Sequence, residues 1–173
     1  MYLREILLHQ KNHALNSQAE LLLYMADRAQ HVTQIIRPAL EQGHIVLVDR
    51  FIDSTIAYQG YGRNLDLKLI KKLNTFVTSG VWPQLTFLLD IPVEKGLERA
   101  RARNMSQKKT IQEGRFEAEA LCFHQRLRQG YLHLAAQEPE RIMIVQANDS
   151  IESVFQTIRQ TIQKQLVKKT HRK

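Results

Sequence analysis

Two residue pairs in the sequence stand four apart: Tyr24 with Arg28, and Arg99 with Arg103. On a helix that spacing puts each pair on one face, where two side chains can act on the same ligand. A third candidate lies where the apolar run Ile45-Val46-Leu47-Val48 closes on Asp49-Arg50. An apolar run ending in aspartate is the Walker-B pattern, whose carboxylate faces the place where magnesium and phosphates gather. Turns also favour aspartate, so the pair alone leaves a plain turn open. A guanidinium fork matches phosphate oxygens and carboxylates equally, so Arg50 suits either partner. Other reactive residues are poorly arranged. The seven histidines, His9, His13, His31 and His44 among them, lack metal-ligand spacing. Cys122 and His124 are two apart and would point to different sides of a helix.

The elements that must hold these residues follow from periodicity. Residues 45–48, 85–89 and 142–145 are continuously apolar, as strands buried on both faces of a parallel sheet are. Helical patterns lie between them, so the expected class is α/β, a parallel sheet flanked by helices. The first long helix is predicted from Ser17, with Glu20 completing a capping box, through a kink at Pro38 to a stop at Gly43. A second spans Asp66 to about Ser79, with Leu69, Ile70, Leu73 and Val77 inward and Gly80 as its stop. A third begins near Pro92 and carries Val93, Leu97 and Ala100 on one side. Residues 104–114 read as a loop, and helices are predicted over 115–137 and 150–168. Without repeats or linkers, residues 1–173 read as one domain.

Composition narrows the function classes. The apolar (43%) and charged (24%) fractions are those of an ordinary globular chain. No apolar run approaches the roughly 18 residues that cross a bilayer. A single cysteine fits a reducing cytoplasm. The net charge of +8 owes part to the tail residues Lys168, Lys169, Arg172 and Lys173, and a basic nucleic-acid binder stays a minor alternative.

The run from Asp49 to Arg63, DRFIDSTIAYQGYGR, resembles the DR[YFH]-x-x-S-x-x-A-Y-Q-G-x-G-R signature of bacterial thymidylate kinases. Leu22 to Gln30 is similar to that family's substrate helix, and Pro83 to Asp90 to its P-D-L-T-x-x-L-D strand. The likeness continues through the arginine-rich segment and Phe123 to Tyr131 into the last helix. It implies a P-loop nucleoside monophosphate kinase-like fold and phosphoryl transfer from ATP to dTMP with Mg2+, in a homodimer. By that resemblance Tyr24 stacks on thymine, a mild departure from the commoner phenylalanine, and Arg28 binds the carbonyl edge of the base. Arg50 takes the dTMP phosphate, Thr55 the thymine edge, and Tyr58 the place of a ribose 2′-hydroxyl. Gln59 joins a tight substrate turn with Gly60 and Gly62. Asp49 helps hold magnesium or positions the acceptor. Residues of about 99–117 become a lid over ATP, with Arg99, Arg103 and Arg115 on the phosphates and Arg103 neutralising the transferred group. Gly114 stands where the family's D-R-[IFL]-E has aspartate.

One family part is not among these residues. None of the seven glycines begins a G-x-x-x-x-G-K-[ST] phosphate loop. The segment Leu3 to Leu8 resembles the stretch that follows that loop, so the expectation is an N-terminally truncated reading lacking the first, central strand. Two alternatives stay open: a dTMP-binding relative without turnover, and a kinase for another deoxynucleotide.

Overall fold

A computed structural model describes Leu7, residues 15–106, Phe116 and residues 119–170, with the side chains of 104–106 and 166–170 set apart. The first long helix forms in three pieces: α1 (Ser17–His31), a π-helical turn (Val32–Ile36) and α2 (Arg37–Glu41). Pro38 is the cause. It has no N–H for the Gln34 carbonyl, and its ring crowds that carbonyl. The turn ahead of it widens, and the Arg37 N–H reaches the Val32 carbonyl instead. The expected capping box does not form. Asn16 caps α1, its Oδ1 accepting from the Gln18 N–H at 2.8 Å, while Glu20 turns inward and is fully buried.

The next segment is also helical, α3 (Ile52–Thr55) running directly into a π-helical stretch (Ile56–Gly62). Helix α4 (Leu67–Thr78) is capped by Asp66, whose Oδ1 accepts from the Lys68 N–H at 2.7 Å. It ends where Ser79 (φ 49°) and Gly80 (φ 76°) turn left-handed. Its buried stripe is Ile70, Asn74 and Thr78, whereas Leu69, expected inward, is exposed. The chain then forms β1 (Thr86–Asp90), α5 (Val93–Ser106), α6 (Leu121–Gln137), β2 (Ile142–Gln146) and α7 (Ile151–Thr170). Helix α6 starts later than its pattern suggests, after the extended Ala120. The expected loop over 104–114 lies outside the described residues beyond the end of α5.

β1 and β2 pair in parallel, from Thr86 opposite Ile142 to Asp90 opposite Gln146. The third expected strand, 45–48, is absent: these residues are irregular, with Ile45 72% and Leu47 86% exposed. A strand exists only with a ladder partner, and none flanks this segment among the described residues. The core instead joins Leu21 and Met25 of α1, Ile56, Ile70 of α4, Leu134 and Ala135 of α6, and Ile142 of β2. Two glycines let the helices meet. A Cβ on Gly62 would lie 2.7 Å from the Phe123 ring, and one on Gly130 would lie 2.6 Å from Tyr61.

Candidate functional site

The arginines divide by partner. Arg141 grips buried Asp53 through two bonds of 2.7 and 2.8 Å and also pairs with Glu138. Arg128 grips Asp90 through bonds of 2.7 and 2.9 Å, which hold the Asp90 carboxyl below its ordinary range against the opposing effect of burial. Arg63 bridges Glu20 and Glu119. These three tie elements together: α3 to the strands, β1 to α6, and the π-helical stretch to α1. Arg28 and Arg50 differ. Neither has a carboxylate partner among the described residues, and both bond neutral oxygens.

Arg50 stands in an unusual backbone position. Its φ of 68° is left-handed, which costs a non-glycine residue about 1 kcal/mol. The turn throws its side chain over the Tyr58 ring, 4.4 Å from the centroid, where it donates to the Tyr58 hydroxyl. Tyr131 completes the group, donating to Ser54 Oγ at 2.8 Å. Burial, with the neighbouring Tyr58 hydroxyl, pushes the Tyr131 hydroxyl up to about 12, so it keeps its proton. Phe116 and Phe123 meet the Tyr58 ring edge-on at 5.0 and 6.2 Å.

Arg28 reaches the same stretch from α1. Only 9% exposed, it donates from Nη1 to Asn74 Oδ1 at 2.8 Å and from Nη2 to the Phe51 carbonyl at 3.2 Å. Its guanidinium lies 5.4 Å from the Phe51 ring centroid. Burial pulls it down to about 10, which leaves it charged at neutral pH. Thus Arg28 binds the residue next to Arg50, and Asp27 and Asp53 favour its charge from nearby without bonding it. Tyr24 lies one turn before Arg28 on α1 and is half-buried.

The remaining expected residues lie in varied settings. Thr55 is buried where α3 meets the π-helical stretch. Gln59 is buried as well, its amide donating to Glu20 Oε1 at 2.9 Å, so its side chain is turned toward α1. Asp49 is exposed and has no hydrogen bond or ion pair among the described residues, leaving its oxygens open to a hard cation. Arg99 donates to the Ala147 carbonyl at 2.8 Å, and Arg103 is exposed one turn further along α5. Arg115 lies outside the described residues.

Sequence reasoning passed over Asn74, Ser54, Tyr131, Asp53 and Arg141. Asn74 had a signal: a lone polar residue between Ile70 and Thr78 at helical spacing. The pairing of Asp53 with Arg141 spans 88 positions and had none. An open depression lined by Gly60, Tyr61, Asn64, Leu65, Leu67 and Arg126, among others, includes Gly60 of the expected substrate turn and none of the other expected site residues.

The comparisons with known proteins converge. The family model described as thymidylate kinase matches residues 1–158. The thymidylate kinase of Desulfovibrio desulfuricans is 55% identical over 161 residues, covering 93% of this chain and 74% of that protein. The enzyme of Syntrophotalea carbinolica is 54% identical over 90% of this chain and 72% of its own length. The crystal structure of thymidylate kinase from Ehrlichia chaffeensis superposes with a TM-score of 0.62 at 33% identity, over 85% of this chain and 65% of that one. That likeness carries the α/β, P-loop nucleoside monophosphate kinase-like fold. The chain belongs to the thymidylate kinase family.

Proposed function

We propose that this chain binds dTMP beside Phe51 and serves phosphoryl transfer from ATP, giving dTDP and ADP. The observation that supports it most is the pair of arginines with no carboxylate bonded to them among the described residues. A buried or half-enclosed guanidinium held by neutral oxygens keeps its charge and spare donors for an anionic or carbonyl-bearing ligand. In this reading Arg28 holds the carbonyl edge of thymine and Tyr24 stacks on its face. Arg50 holds the phosphate, and Tyr58 occupies the place a ribose 2′-hydroxyl would need. Thr55 and Gln59 shape the pocket from behind. Gln59 acts through its bond to Glu20.

The acceptor oxygen is already ionised, so no strong base is needed, and the residues act by positioning and by neutralising charge. Asp49 fits Mg2+ as one hard oxygen ligand. Magnesium, when bound, would neutralise phosphate charge there. Arg99, Arg103 and Arg115 approach the ATP phosphates in this reading, with Arg103 on the transferred group. A homodimer and a cytoplasmic setting belong to the same proposal. Leu22, Ile35 and Phe76, all exposed and apolar, support self-association, and no described helix is long and apolar enough to cross a membrane.

The phosphate-loop motif is not among these 173 residues, and this favours a second reading in which the chain binds dTMP without turnover. Calorimetric titration with dTMP, competed by dUMP, dCMP and dGMP, tests the shared part. Coupled detection of ADP separates the two readings. Selective dTMP binding supports both, and ADP formation selects the kinase. Absence of dTMP binding, with DNA affinity that falls steeply with salt, would sink both.

A further inference from the structure

Asn74 lies one helical turn beyond Ile70 on the buried face of α4 and is itself fully buried. Its Oδ1 accepts from Arg28 Nη1 at 2.8 Å, while its Nδ2 has no hydrogen-bond partner among the described residues. The orientation of the amide is fixed by chemistry: arginine offers only donors, so the oxygen must face it. An unsatisfied buried N–H is unfavourable, and an aspartate of the same shape would remove it while forming an ion pair with Arg28. The amide therefore carries a cost in stability. It holds Arg28 through two neutral oxygens, from α4 and from Phe51, with no carboxylate bonded to it among the described residues. The Nε donor and the second hydrogen of Nη2 stay free of protein acceptors among the described residues.

We infer that Asn74 is a positioning residue that aims Arg28 at the acceptor base while keeping its charge and spare donors available. The inference rests on Arg28 contacting dTMP. Its logic is one of charge: a carboxylate at position 74 would hold Arg28 equally well and compete with the ligand for it. Asn74 thereby favours ligand affinity over stability.

The test uses the full chain, with dTMP and thymidine as probes in calorimetric titrations and thermal melting run in parallel. Asn74→Asp is expected to melt at or above the wild-type temperature. Its affinity for both probes should fall about tenfold or more, the scale of a lost bond to a charged group. Asn74→Ala carries the test if the aspartate variant does not fold: it should stay folded by circular dichroism and lose affinity for both probes. Wild-type affinity in either folded variant would overturn the inference, as would a loss confined to dTMP with thymidine unchanged. Failure of the wild-type chain to bind dTMP would instead overturn the acceptor-site reading beneath it.

Discussion

The helical half around α1, α3, α4 and α6 and the half built on the two strands handle their side chains differently. In the first, Leu21, Ile56, Ile70 and Leu134 are buried together, and buried Glu20 is answered by Gln59 and Arg63. Even the glycines there are set by close packing. In the second, β1 and β2 are each five residues long. Leu89 and Ile144 on them are exposed, and Ile45 and Leu47 project into solvent. Apolar runs alone therefore do not make a sheet, because the backbone needs a ladder beside it. The helical half satisfies its backbone within each helix, and the candidate acceptor site is built on that self-sufficient side.

Removing charge at the seam between the halves should have the largest effect. Asp53→Ala would take from Arg141 the carboxylate that both its terminal nitrogens now bind, leaving it only Glu138 among the described carboxylates. The expected loss is about 3 kcal/mol of stability in urea unfolding. An unchanged midpoint would mean the seam does not join the halves. Within the helical half, Arg50→Ala should weaken dTMP binding about a hundredfold, with melting nearly unchanged because Arg50 carries no ion pair among the described residues. Calorimetry checks the first part and scanning fluorimetry the second. Packing comes next. Gly62→Ala drives a methyl toward Phe123 and should cost about 2 kcal/mol, whereas an alanine tolerated there would show the contact can relax.

Acid separates the halves more gently. The Asp90 carboxyl is held low by Arg128, so the stability it adds is present above its unfolded value near 3.9 and is lost as pH falls through its lower folded value. Acid unfolding of Asp90→Asn should lack that part of the wild-type dependence at low pH. Smallest of all, Leu47→Ser should change stability by no more than about 0.5 kcal/mol. A loss of several times that size would show that the segment 44–48 is packed in solution.

Much of the helical half was legible because its signals are local. Asp66 capping α4, the turn at Gly80 and the obstruction at Pro38 each act within a few residues. The Asp49–Arg63 run and Tyr24 with Arg28 marked a candidate site, within which the fold brings Arg28 to the Phe51 carbonyl and Arg50 to Tyr58. Less legible were decisions made across the fold. Glu20 has the spacing of a capping residue, yet Gln59 and Arg63, some 40 positions away, draw it inward. Which arginines serve structure and which stay open could not be read from charge alone. Arg141 differs from Arg50 only in what the fold brings beside it. The strand pattern at 45–48 shows the opposite limit, since local character cannot supply a neighbour.

The central claim is that dTMP binds across Arg28, at Phe51, and Arg50, at Tyr58. A crystal structure of the chain grown with dTMP tests it most directly. The account predicts thymine against Tyr24 with its carbonyl edge at Arg28, and the phosphate on the Arg50 guanidinium. Nucleotide density in the depression by Tyr61 and Arg126, with the two arginines unchanged, would contradict it.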